Sequence, residues 1–178
     1  MIKEFIKYVV PYIKGFIIID ITTKFQTSIK DLVCNKLNLK DLGKVKDRYE
    51  GADFLHRFMM KSCVLIALEK EYKIKLFNEN EIGRNFLSTE ITYDLDGESI
   101  LVIFCKYGNL PKINLDKHRN FDKIEYAFVL DNYRKVYLCG KISYNSAIKY
   151  LIKGRDSQTQ DNLKNMLFIG FNHLKQAE

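Results

Sequence analysis

Glu90-Ile91-Thr92-Tyr93-Asp94-Leu95-Asp96-Gly97-Glu98-Ser99-Ile100-Leu101-Val102-Ile103-Phe104-Cys105-Lys106 sets the architecture of this chain. Ile91, Tyr93 and Leu95 alternate with polar residues, as a half-buried strand does. Asp96-Gly97 is a hairpin turn signal, because both residues tolerate the positive φ a tight turn needs. Ile100–Lys106 then runs apolar to a basic end, the pattern of a buried strand. Two registers are open. A three-residue loop over Asp96-Gly97-Glu98 sets Glu90 across from Phe104, on the face of Lys106. A two-residue turn at Asp96-Gly97 turns Glu90 and Asp94 to the other face, since a one-residue slip flips every side chain. Turn chemistry favours the second.

Downstream, a basic loop extends through Arg119 and Ile124–Leu130 reads as a strand. Asp131–Arg134 turns the chain and Lys135–Cys139 returns it, with Gly140 as its end. Ser143 can cap a short helix to about Leu151, and Met166–Phe171 reads as the last strand. Upstream, Lys73–Phe77 alternates like a strand. Gly51–Glu71 is helical, with Phe54, Leu55, Phe58, Met59, Ser62, Cys63, Leu65 and Ile66 on one face. Asn38–Tyr49 is a polar loop. Thr22 and Thr23 can cap a helix to about Leu37, Gly15–Ile21 is a strand, and Met1–Val10 is a short helix stopped before Pro11. The expected class is α/β (or α+β): a mixed sheet flanked by helices, preceded by an N-terminal strand and helix.

The chain has 178 residues, 47% of them apolar, which gives one compact domain a real core and excludes disorder as the overall state. No apolar run reaches the roughly 18–20 residues of a spanning helix. Lys3 and Lys7 interrupt the N-terminal apolar stretch, so a secretory signal is not expected. The expectation is a cytoplasmic protein without a membrane partner. Cys34, Cys63, Cys105 and Cys139 have no zinc-like spacing and read as buried reduced thiols. The formal charge of +7 points toward a polyanion, although an AT-rich genome also enriches lysine.

Two groups of residues carry chemistry. Lys106 leaves a buried strand after a hairpin bearing Glu90, Asp94, Asp96 and Glu98. Carboxylates beside a lysine can hold a divalent metal, position a water against a phosphodiester and stabilise the charge that develops. The plainer reading is a solvated strand end next to an acidic turn. The second group is Lys106, Tyr107, Lys112, Lys117, His118, Arg119, Phe121 and Lys123, opposed by Asp116 and Asp122. Such a stretch can track a phosphate backbone. Lys149, Lys153 and Arg155 add a smaller basic group.

From Arg48-Tyr49-Glu50-Gly51-Ala52 onward the order of motifs resembles the restriction-endonuclease-like, PD-(D/E)xK nuclease superfamily. The helix opened by those residues resembles its first core helix, and Glu90–Lys106 its catalytic hairpin. Ile124–Leu130 and Val136–Ser143 resemble its next strand pair. Lys153-Gly154-Arg155-Asp156 and Phe168–Leu174 resemble its late loop and last strand. The resemblance implies an N-terminal extension over 1–47 and a nuclease-like core over 48–178. It implies a Mg²⁺- or Mn²⁺-dependent endonuclease with Lys106, Glu90 and Asp96 as catalytic residues. Glu90, Asp94 and His56 would be metal ligands, and Lys112, Lys117, Arg119, Lys123, Lys153 and Arg155 nucleic-acid contacts. DNA ranks ahead of RNA as partner, and a homodimer is a further expectation. Phe104 departs from the motif, standing where the family has a carboxylate. That departure favours the alternative of a nucleic-acid-binding module without chemistry. A small assembly or interaction protein is the third reading.

Overall fold

The computed structural model describes residues 2–36, 52–81, 90–153 and 165–175. Its elements in order are α1 (Ile2–Tyr8), a 3₁₀ turn (Val10–Gly15), β1 (Ile17–Asp20), α2 (Thr23–Lys36), α3 (Ala52–Tyr72), β2 (Glu90–Leu95) and β3 (Glu98–Lys106). There follow β4 (Lys112–Asn114), β5 (Lys123–Val129), β6 (Lys135–Ser143), α4 (Tyr144–Ala147), β7 (Leu151–Lys153) and β8 (Asn165–Phe168). The class is mixed α/β. A five-stranded mixed sheet runs in the order β1-β6-β5-β3-β2, and a three-stranded antiparallel sheet in the order β4-β8-β7.

The hairpin closes by the two-residue turn. Asp96 and Gly97 have φ of +53° and +80°, and Leu95 lies opposite Glu98. A turn with both central residues left-handed matches the right-handed twist of the strands it joins. The register then places Glu90 opposite Ile103, Thr92 opposite Leu101 and Asp94 opposite Ser99.

The chain forms two compact units: Met1–Ile18 with Glu90–Phe128 and Tyr137–Glu178, and Ile19–Thr89 with Val129–Val136. The expected boundary at 47/48 falls outside the described residues.

The first unit is organised by aromatic rings. Phe128 is fully buried, with ring centroids 5.2 Å from Phe5 and 5.6 Å from Phe171. Tyr126 stacks on Phe168 at 4.2 Å. Leu101, Ile103, Ile124, Cys139 and Ile142 fill the same core. Strand side chains alternate between faces, so Cys139 and Ile142 can share one face only if β6 slips by a residue between them. Gly140, at φ +102°, absorbs that slip as a bulge does. The glycine read as a strand terminator therefore lies inside β6.

In the second unit, Thr22 caps α2, its Oγ1 accepting from the N–H of Phe25 at 3.2 Å. The buried Ile29 and Val33 recur at helical spacing on α2, as do Met59, Cys63 and Ala67 on α3, and the two helices pack together.

Three further sequence expectations are corrected. Lys73–Phe77 is not a strand. Lys73 leaves α3 at φ +53°, and Glu69 then accepts from the N–H groups of Leu76 and Phe77 at 2.7 and 2.6 Å. A carboxylate from the preceding helix thus takes the donors that a strand partner would need. The Ser143-capped helix stops at Ala147 and passes through a 3₁₀ turn, and Leu151 opens β7. The last strand ends at Phe168, and Phe171–His173 is a 3₁₀ turn.

Candidate nucleic-acid interface

Directly opposed residues share a face of a hairpin. Glu90, Thr92 and Asp94 therefore lie with Ser99, Leu101 and Ile103. Lys106 alternates with Cys105 and falls on the face of Phe104, Val102 and Ile100. Glu90 and Asp94 point to the opposite face from Lys106. Asp96 is separated by length: at roughly 3.3 Å per residue, Glu98 and Lys106 stand about 26 Å apart along β3. The hairpin brings no expected acid to Lys106.

Glu90 has another role. Its Oε2 accepts from Lys117 Nζ at 2.5 Å, and its Oε1 lies 2.9 Å from His118 Nε2. His118 is buried, and its Nδ1 accepts from the N–H of Asn114 at 3.2 Å. The ring proton is thereby assigned to Nε2, which donates to Glu90. Asn114 Oδ1 also accepts from the N–H groups of Asp116 and Lys117. Residues 114–118 thus form a tight turn pinned to the start of β2. Lys117 and His118 belong to this clip.

Burial acts to raise the Glu90 carboxyl, but hydrogen bonds from Lys117 and His118 and the charge of Lys117 outweigh it and hold the group below its ordinary 4.5. A carboxyl depressed in the folded state stabilises the fold above its unfolded value. That stability is lost as pH falls through the lower folded value. Stability should accordingly drop below about pH 4.5, and Glu90→Gln should flatten this acid limb. Urea midpoints measured from about pH 6 to about pH 3 check it. An acid limb as steep in the variant as in the wild type would assign the titration elsewhere.

The metal set does not assemble. Glu90 and Asp94 are four residues apart on one strand, about 13 Å at strand rise, and both Glu90 oxygens are engaged. His56 belongs to the other unit, where its Nδ1 meets the Tyr133 hydroxyl at 2.6 Å. Among the described residues, no three His, Cys, Asp or Glu side chains stand close enough to hold an ion. These residues do not fit Mg²⁺ or Mn²⁺, and no hydrolytic step is derived through one. The thiols of Cys63, Cys105 and Cys139 are poor nucleophiles. Burial pushes Cys63 up to about 12 and raises Cys105 and Cys139 as well.

Of the expected phosphate contacts, Lys112, Arg119 and Lys153 are exposed on β4, on the loop before β5 and on β7. Arg119 lines a small recess of about 290 Å³ with Asp122 and Asn145. Asp122 ties that loop down, accepting from the N–H and hydroxyl of Ser99 at 2.8 and 2.9 Å. Lys123 pairs with Glu98. Arg155 lies outside the described residues.

The structure adds residues that the sequence reading missed. A groove of about 960 Å³ lies at the turn end of the hairpin. It is lined by Lys123, Lys141 and Lys175, by Asp96 and Glu98, and by Tyr150 and His173. Beside it, the fully buried Glu125 accepts a 2.7 Å hydrogen bond from the Tyr93 hydroxyl, and Lys141 Nζ lies 5.9 Å over the Tyr93 ring. One signal was visible: Glu125 interrupts an apolar strand, and a buried charge there requires partners. Comparison with protein-family models, curated proteins and solved structures finds no match.

Proposed function

We propose that this chain is a nucleic-acid-binding module on a restriction-endonuclease-like scaffold, acting by contact with phosphates rather than by hydrolysis. The observation that carries this reading is the hairpin register. It separates Lys106 from Glu90 and Asp94 and leaves Phe104 on the lysine's face, while basic side chains remain along the surface. A phosphate backbone needs cations spaced over a surface, without two converging carboxylates. Exposed Lys112, Arg119 and Lys153, with the three groove lysines, supply such a surface.

Fluorescence anisotropy with short labelled single- and double-stranded DNA and RNA tests this. Binding is expected at low salt, with log K against log[KCl] falling by roughly 0.7–0.9 per neutralised phosphate, hence a slope of about −2 or steeper for three contacts. Absence of binding at low salt would overturn the reading. So would Mg²⁺- or Mn²⁺-dependent cleavage that Lys106→Ala abolishes, which would restore the nuclease.

A further inference from the structure

The groove at the hairpin turn holds an arrangement that basic composition alone does not explain. The Lys141 N–H donates to the Lys175 carbonyl at 2.7 Å, and the Lys175 N–H donates back to the Lys141 carbonyl at 2.9 Å. The two residues are an antiparallel bridge pair exchanging both bonds, so their side chains leave the same side as nearest cross-strand neighbours. The main chain thus presents two ammonium-bearing side chains together on one groove. Lys123 stands on the same groove, and its charge opposes that of Lys141. Burial lowers the affinity of Lys141 for its proton; Glu125 opposes this as the largest of the charges, Lys123 adds to the lowering, and Asp96 and Glu98 side with Glu125. Of the two carboxylates on the groove, Glu98 is already paired with Lys123. An anion laid between Lys141 and Lys175 meets two cations that the main-chain bridge holds side by side.

The same groove has an aromatic wall. Tyr150 and His173 stack with centroids 4.1 Å apart and planes 14° from parallel. His173 is exposed and lines the groove. An imidazole plane seated on a tyrosine offers a face on which a third flat ring can stack.

We propose that the groove binds one nucleotide, its phosphate bridging Lys141 and Lys175 beside Lys123 and its base on the outer face of His173. The proposal rests on the nucleic-acid reading when the nucleotide belongs to a strand. It stands without that reading when the nucleotide is free. The probes are adenosine monophosphate, adenosine and inorganic phosphate by calorimetry, and a short labelled single-stranded DNA by anisotropy, all with the full chain.

The monophosphate should bind at least about tenfold more tightly than adenosine or inorganic phosphate, since each lacks one of the two contacts. Lys141→Gln with Lys175→Gln should weaken it by about tenfold or more, and His173→Ala by about fivefold or more. The double variant keeps the main-chain bridge but removes a cation beside the buried Glu125, so a far-ultraviolet spectrum and a cooperative melt like those of the wild type are required before its binding is compared. Lys14→Gln, exposed and away from the groove, should change nothing.

If the strand binds, the monophosphate displaces it and the double variant loses both, the groove takes a nucleotide of the strand. If the monophosphate binds and no strand does, the groove stands as a free-nucleotide site and the nucleic-acid reading falls. Strand binding undiminished in a folded double variant, with no monophosphate binding, overturns the groove and leaves that reading in place. Inorganic phosphate bound as tightly as the monophosphate overturns the stacking half of the proposal.

Discussion

Phe128→Ala is expected to destabilise the protein by about 3–5 kcal/mol. Phe128 is fully buried on β5, and among the described residues four aromatic rings face it: Phe5 at 5.2 Å, Phe171 at 5.6 Å, and Phe16 and Tyr107 each at 6.4 Å. Those rings come from α1, from the residue before β1, from the residue after β3 and from the C-terminal 3₁₀ turn. The cost has two parts, the lost transfer of the ring from water and the cavity left behind. Collapse is hindered because the neighbours are rigid rings, already held edge-on or tilted against one another. Urea unfolding should show a lower midpoint with an unchanged slope, the sign of lost stability without a change in exposed surface. A loss below about 1 kcal/mol would mean that the surrounding rings close the gap, and that Phe128 does not join the N-terminal segment to the sheet.

This core was partly legible in the sequence. The helices α2 and α3 follow directly from apolar spacing, and the tight hairpin from Asp96-Gly97, because those signals are local. The caps at Thr22 and Ser143 were legible for the same reason. The misreadings have tertiary causes. Lys73–Phe77 alternates like a strand, but Glu69, a full helical turn upstream, supplies the acceptor for its N–H groups. Leu151 continues a helical pattern yet pairs with Phe168, which lies beyond a long intervening segment.

The candidate site was least legible. Glu90 was read as a metal ligand, and its partners, Lys117 and His118, are chosen by a fold in which residues 27 and 28 positions later return to it. Lys141 reaches the groove by way of the bulge at Gly140, and Lys175 by a bridge of two hydrogen bonds far along the chain. Nothing in the spacing of lysines along the sequence reports that pairing. The hairpin register was the exception. Turn chemistry favoured the two-residue form, and that form is the one that turns Glu90 and Asp94 away from Lys106.

Gly170→Ala should cost about 1–3 kcal/mol and disturb the groove without touching any charge. Gly170 has φ −82°, a value any residue adopts, so its backbone does not require glycine. Space does. A Cβ at this position would meet Cβ and Cγ of Tyr150 at 2.7 Å each, and Cδ2 at 2.8 Å. These atoms sit at the near end of the tyrosine, so no rotamer change at its tip relieves the clash. Either β8 or the segment carrying Tyr150 must move. Movement is resisted because the Ile169 N–H donates to the Tyr150 carbonyl at 3.0 Å, and Leu151 pairs with Phe168 immediately beside it. The strain therefore passes to the Tyr150 ring and to the His173 ring stacked on it.

Two measurements separate this mechanism from a general loss of stability. In a double-mutant cycle, Gly170→Ala should cost little in a Tyr150→Gly background, because that truncation removes Cβ, Cγ and Cδ2 together. Near-ultraviolet circular dichroism should change in the single Gly170→Ala variant while the far-ultraviolet spectrum does not. If the two substitutions are additive, the clash with Tyr150 is not the cause. Monophosphate affinity should fall with His173→Ala and with Gly170→Ala alike if the stacked wall positions a base. It should fall with neither if the lysines act alone.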